Sequence, residues 1–383
     1  MSGSSRPTLG TTIGVALAAL LVFGLAVWLG GRSGRPDGPG GTTASERQTP
    51  ATETPTTPGA TGATPAAGSG GGASGSGSPT KLTVGLGFIP SVQFAQFYRA
   101  QQAGYYRDAG LDVTFENKID PELITLVGRG TIDVGLADGT SVIPAVSQGI
   151  PVRYAATIYA KFPNIVFARA SSGIRSARDL EGKRVGTPGT YGSSWVMLQA
   201  LLSQANLTTS DVSVRTYPDF TQAAAVVKGQ VDAATGFVNN EPVQLQRQGI
   251  ETSILRVDDV VPLPGNGLIV GQKTLDAKAD ALRAFVAATL RAQDEVASDP
   301  KLGLDAATAA VPELASDTAT QEAILAATID TWSSDYTKAN GAGAIDRDAW
   351  AKSIEFMSKL PGGLVPNPVS AEGIITTKLL PAR

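Results

Sequence analysis

Residues 82–115, LTVGLGFIPSVQFAQFYRAQQAGYYRDAGLDVTF, constrain the fold of this chain more than any other stretch. Leu82, Val84 and Leu86 alternate with Thr83 and Gly85, the period of a half-buried strand. Gly87 and Pro90 break that strand, and Ser91 is a residue type that caps helices. A helix running from there towards Arg107 would place Phe94, Phe97, Tyr98 and Tyr105 on one side. Gly110 stops it, and 111–115 reads as a second strand. A β-loop-α-β unit of this kind builds a parallel sheet, and such sheets hold ligands beyond the carboxyl ends of their strands. The loop 87–94 is therefore the first place to expect a ligand.

Strand and helix patterns keep alternating downstream. Strands are predicted at 132–137, 152–159, 164–168, 184–187, 212–217, 231–237, 253–257 and 267–270, with helices between most of them. Beyond 275 the pattern is helical, at 278–298, 315–333 and 346–359, while 335–344 and 361–368 read as loops. Two α/β sets joined by crossing strands predict two lobes with a cleft between them. Residues 81–170 with 262–383 would form the first lobe, and 171–261 the second. An internal echo supports the division: Gly-Thr-Ile-Asp-Val-Gly at 130–135 returns as Gly-Gln-Val-Asp-Ala-Ala at 229–234. The plainer reading of both is the end of a helix and the start of a strand.

Composition removes most catalytic classes. The 383 residues contain neither histidine nor cysteine. Serine–histidine triads, histidine bases, thiol nucleophiles, disulfides and zinc sites of the usual kind are therefore unavailable. The net charge is −3 with no dense basic run, which argues against nucleic acid as a partner. Small-molecule binding without chemistry fits better, with no cofactor or metal implied.

The first 32 residues carry a different signal. Residues 13–31 form 19 positions without a charge, flanked by Arg6 and Arg32. A bilayer span needs about 20 apolar residues. A retained anchor with Trp28 at the interface competes here with a cleaved signal peptide, and residues 28–32 offer no Ala-x-Ala cleavage site. Residues 33–79 are Gly-, Ser-, Thr-, Pro- and Ala-rich and read as a flexible linker. As a random coil they would span about 35–40 Å. Anchor and linker together predict a receptor held at the outer face of the cell membrane, or released if the segment is cleaved.

If two lobes face each other, four loops converge. The first carries Phe88, Pro90, Ser91 and Gln93, and the second Asp138, Thr140 and Ser141. The third carries Thr190, Tyr191, Ser193 and Trp195, and the fourth Phe237, Asn239, Asn240 and Glu241. Tyr159 and Phe162 would line the wall. Structural roles compete at several positions. Phe94 and Phe97 suit core packing, and Asp138 suits a helix cap. Asn239 and Asn240 suit a turn, and Glu241 a helix first turn. Residues 189–194 resemble an anion cradle at a helix start, but no lysine stands where a nucleotide loop needs one. Tyr191 and Trp195 suit stacking on a planar ring. Aromatics are 6% of the chain yet recur in these loops, while cations there are sparse apart from Lys161. A neutral, planar, nitrogen-rich heterocycle fits this balance better than a small anion, which favours an arginine fork.

One resemblance sharpens this picture. Phe-Ile-Pro-Ser-Val-Gln-Phe-Ala at 88–95, and Gly-Tyr-Tyr followed by Gly-Leu-Asp-Val at 104–113, resemble the opening of extracytoplasmic solute-binding proteins of ABC importers. The subgroup includes binders of aliphatic sulfonates, thiamine pyrimidine precursors and riboflavin, and a related fungal pyrimidine synthase. The likeness runs over about residues 81–300. It implies an α/β fold of periplasmic-binding-protein type II, with two lobes, a central cleft and C-terminal helices. It implies cleft closure on a small ligand, and a permease with its ATPase as partners. The ligand would be a thiamine pyrimidine precursor or riboflavin, with sulfonate, taurine or nitrate as the alternative. An anchored ligand sensor is the other reading. The synthase chemistry relies on a cysteine-rich motif and a histidine, and this chain has neither.

Overall fold

The computed structural model describes residues 78–382, apart from 120 and 260. The expected anchor, and the linker as far as residue 77, lie outside the described residues. No helix among the described residues is long and apolar enough to cross a membrane.

Ten strands form two five-stranded sheets. The first sheet contains β1 (Thr80–Leu86), β2 (Leu111–Asn117), β3 (Val134–Ala137) and β4 (Val152–Thr157). The second contains β5 (Asn164–Arg169), β6 (Arg184–Thr187), β7 (Ser213–Thr216), β8 (Ala233–Phe237) and β9 (Thr252–Leu255). The chain then returns as β10 (Gly267–Gly271), which joins the first sheet. The spatial orders are β2-β1-β3-β10-β4 and β7-β6-β8-β5-β9. Each sheet thus has three parallel strands, then an antiparallel strand arriving from the other lobe, then an outer strand. Strand β5 was expected to complete the first lobe. It pairs with β8 and β9 in the second instead, so the first crossing lies at 158–163.

The sequence echo has a physical cause. Asp133 precedes β3, and its carboxylate accepts the Thr83 N–H at 2.9 Å. Asp232 precedes β8 and accepts the Arg184 N–H at 2.8 Å. The Asp133 N–H in turn reaches the Thr83 carbonyl, and the Asp232 N–H the Arg184 carbonyl. Each aspartate thereby continues a parallel ladder one residue beyond the strand. A cation from outside the loop neutralises each: Lys278 for Asp133 and Arg184 for Asp232.

The helix predicted from Ser91 is broken. Ser91 caps a 3-10 turn (Val92–Phe94), a helix follows at Ala95–Gln102, and a short one at Tyr105–Asp108. The break falls at Gly104, whose φ of 79° only glycine adopts readily. Phe97, Tyr98 and Tyr106 are buried and meet Phe115 of β2 and Phe285 edge-on or stacked. The long helix Gln272–Ser298 supplies Phe285 and closes the outer face of this lobe.

Two differences stand out in the C-terminal part. Residues 300–310 form a helix started by Pro300 and capped by Asp299, where no helix was predicted. Within 335–344, read as a loop, Asp335–Asn340 is helical under a Ser334 cap. Other C-terminal elements, the end of the helix Thr318–Ile329 and the helix Arg347–Ser358, brace the two crossing segments. The Thr331 carbonyl accepts from the Ala160 and Lys161 N–H groups, and Ser353 donates to the Pro262 carbonyl. The crossings also bond to each other, with Ile158 and Tyr159 N–H groups donating to the Asn266 carbonyl at 3.1 and 2.7 Å.

Candidate functional site

The carboxyl ends of the inner strands of both sheets open on one cavity. It holds about 880 Å3 of free space, its open mouth included. From the first lobe come Phe88, Gln93, Phe94 and Asp138; from the second come Tyr191, Ser193, Phe237, Asn240 and Glu241; Tyr159 sits at the crossing.

Ten of the residues singled out by sequence thus meet at one place, counting Phe94. Their local structure explains how. Asp138 ends β3 and caps the helix Gly139–Ser147, accepting from the Thr140 and Ser141 N–H groups at 2.9 and 3.2 Å. The cap and the cavity wall are therefore the same residue. Burial raises its pKa, with Thr140 and Ser193 hydroxyls opposing. Gln93 is held on both sides: its Nε2 donates to Ser91, and its Oε1 accepts from Asn239 across the lobes at 2.9 Å. The Asn239 amide also donates to Thr328 at 2.8 Å, tying the second lobe to the C-terminal helix Thr318–Ile329. Tyr159 donates to the Gln93 carbonyl, and burial raises its pKa.

Glu241 opens the helix Glu241–Arg247 and folds back on its own strand end. It accepts from the Phe237 N–H at 2.8 Å and from Gln222 at 3.3 Å. Burial pushes its pKa up to about 7, opposed by the Phe237 N–H. Helix Gly192–Gln204 presents its first turn to the cavity, and no side chain caps it.

Other candidates sit elsewhere. Pro90 and Thr190 are exposed and outside the lining, because the turns carrying them bulge to the surface. Ser91, Thr140, Ser141 and Asn239 are buried one layer behind it, where they orient Gln93 and Asp138. Trp195 is half-buried and packs on the hydrophobic core instead of lining the cavity. Tyr191 stands in extended backbone before the helix, so its direction does not set that of Trp195 in the helix's first turn. Phe162 is core as well.

Among the lining residues that escaped the sequence reading, Phe220 and Gln222 matter most. Phe220 stands edge-on to Phe88 at 4.9 Å and 82°, bringing the two lobes into contact. Its φ of 59° is rare for a bulky residue. Gln222 is 1% exposed and lies behind it. The turn sequence Tyr217-Pro218-Asp219 was the available signal that residue 220 ends a loop and does not start a helix.

Residues 91–302 match a family model described as NMT1/THI5 like. The riboflavin-binding protein RibY of Chloroflexus aurantiacus is 33% identical over 305 residues, covering 79% of this chain and 86% of that protein. The 4-amino-5-hydroxymethyl-2-methylpyrimidine phosphate synthase of Legionella pneumophila is 28% identical, covering 62% and 76%. Among solved structures, the alkanesulfonate-binding protein SsuA from Xanthomonas axonopodis pv. citri superposes with a TM-score of 0.60 at 17% identity, covering 80% of this chain and 99% of that one. That likeness shows a shared fold.

Proposed function

From the premise that this chain belongs to the NMT1/THI5-like family, we propose that it is the extracytoplasmic solute-binding component of an ABC importer. Its ligand is a small planar nitrogen heterocycle, riboflavin or a thiamine pyrimidine precursor. The cavity carries this reading. Two buried carboxylates, Asp138 and Glu241, face it from opposite lobes, aromatic rings line its walls, and neither lysine nor arginine is among its described lining residues. Both carboxylates already occupy backbone N–H groups that would otherwise hold an anion. A sulfonate would meet two acids and no arginine fork. A heterocycle offers flat faces to Phe88 and Tyr191 and hydrogen-bond donors to the acids.

The likeness to a riboflavin-binding protein points the same way. Likeness to pyrimidine phosphate synthases does not carry their chemistry here, because the chain has no histidine or cysteine. Binding proceeds by lobe closure, and the closed form docks on a permease. The uncharged stretch 13–31 and the linker after it support tethering at the outer membrane face. Calorimetry against riboflavin, the hydroxymethyl pyrimidine, thiamine, taurine and alkyl sulfonates tests the reading. Binding to sulfonates alone would overturn it.

A further inference from the structure

We propose that Gln222 sets what the cavity accepts: its side-chain carbonyl, held in place by Glu241, takes a ring N–H or amino hydrogen from the ligand. The inference rests on the heterocycle reading and deepens it.

Gln222 begins the helix Gln222–Val227, is 1% exposed and lines the cavity. Its Nε2 has two acceptors, the Glu241 Oε1 and the Thr235 carbonyl, each at 3.3 Å. Turning the amide over would set its carbonyl against the Thr235 carbonyl, which can only accept, so this partner fixes the orientation that Glu241 also accepts from. The opposite atom, Oε1, has no partner. A buried carbonyl left unpaired is costly, and a donor that satisfies it is strongly selected. Gln222 thus carries beside the cavity an oriented acceptor, almost without exposed surface in this structure, that the protein itself does not use.

Glu241 acts as a positioning residue through this amide. Its other oxygen is taken by the Phe237 N–H, which pins the carboxylate to the end of β8. A chain of fixed groups therefore runs from the strand end through Glu241 to the Gln222 carbonyl. The consequence is discrimination by a single hydrogen. A heterocycle bearing N–H or NH2 at that edge pairs the orphan oxygen. Its N-alkylated counterpart leaves the oxygen unpaired and brings a methyl group against it. Sites built around such a pairing reject the analogue lacking it far more strongly than apolar contacts do.

The test is a fluorescence or calorimetric titration of the full chain with two matched pairs. One pair is riboflavin and 3-methylriboflavin; the other is 4-amino-5-hydroxymethyl-2-methylpyrimidine and its N,N-dimethylamino form. Wild type is expected to prefer the unmethylated member of the pair it binds by more than about tenfold. Gln222→Ala is expected to cut that preference to within about threefold. Glu241→Gln, which supplies an NH2 able to turn the Gln222 amide, is expected to reduce the preference while both members still bind. This ratio does not move if Gln222 merely fills space. Equal binding of both members by wild type overturns the inference and leaves the heterocycle reading standing. So does a preference that survives in Gln222→Ala, which would place the discrimination elsewhere. Should Gln222→Ala fail to fold, the wild-type ratio and Glu241→Gln still decide. Binding of neither parent heterocycle overturns the heterocycle reading, and the inference with it.

Discussion

Replacing Glu241 with glutamine should change how stability depends on pH. Burial moves this carboxyl from its ordinary value of 4.5 up to about 7. The folded chain therefore holds a proton there that the unfolded chain releases. Stability from this group is fully present below pH 4.5, falls as pH rises, and is lost once pH passes about 7. At about 1.4 kcal/mol per pH unit, the full loss is about 3.5 kcal/mol, about 2.5 kcal/mol of it between pH 5 and 8. Asp138 is shifted in the same direction, so wild type alone does not isolate the effect. Glu241→Gln does, because an amide does not titrate. Urea unfolding of wild type and variant at pH 5, 6, 7 and 8 gives two stability profiles. Their difference should widen by about 2–3 kcal/mol in favour of the variant across that range. Parallel profiles would mean that Glu241 is ionised in the folded chain at pH 5. The account of its burial would then be wrong.

Further substitutions probe the rest of the site. Asn239→Ala removes the donor shared by Gln93 and Thr328 and should cost about 1–3 kcal/mol in denaturant unfolding. Trp195→Ala should lower stability by about 1–3 kcal/mol and leave ligand affinity unchanged in calorimetry, since the indole packs on the core. Gly265→Ala would set a methyl 2.3 Å from the Tyr159 carbonyl, at the crossing, and should cost about 3 kcal/mol in the same unfolding assay.

The strands were the most legible part of the chain, because alternation and β-branched runs mark them locally. The aspartate echo was legible too, since Asp133 and Asp232 do the same work in each lobe. Strand β5 was misassigned because sequence marks a strand without naming its partner; only pairing with β8 and β9 assigns it to the second sheet. Residues of all four loops line the cavity, yet direction within a loop is a tertiary property. Tyr191 faces the cavity while Thr190 beside it faces solvent. Trp195 looked like a stacking residue and is a packing one, because its helical position decided its direction. Gln222 carried no signal of its own in the sequence. Nothing local says that Glu241, at the end of the next strand, folds back onto it.

The absence of cysteine allows two spin labels to be placed at chosen sites with no native thiol to remove. Glu116→Cys on β2 and Arg215→Cys on β7 put exposed labels on the outer edges of the two sheets. Pulsed dipolar measurement of their separation, alone and with saturating riboflavin, hydroxymethyl pyrimidine or an alkyl sulfonate, tests closure on a heterocycle directly. The account predicts that a heterocycle narrows the distance distribution and shifts it to shorter values, while the sulfonate leaves it unchanged. A shift with the sulfonate and none with either heterocycle would contradict it.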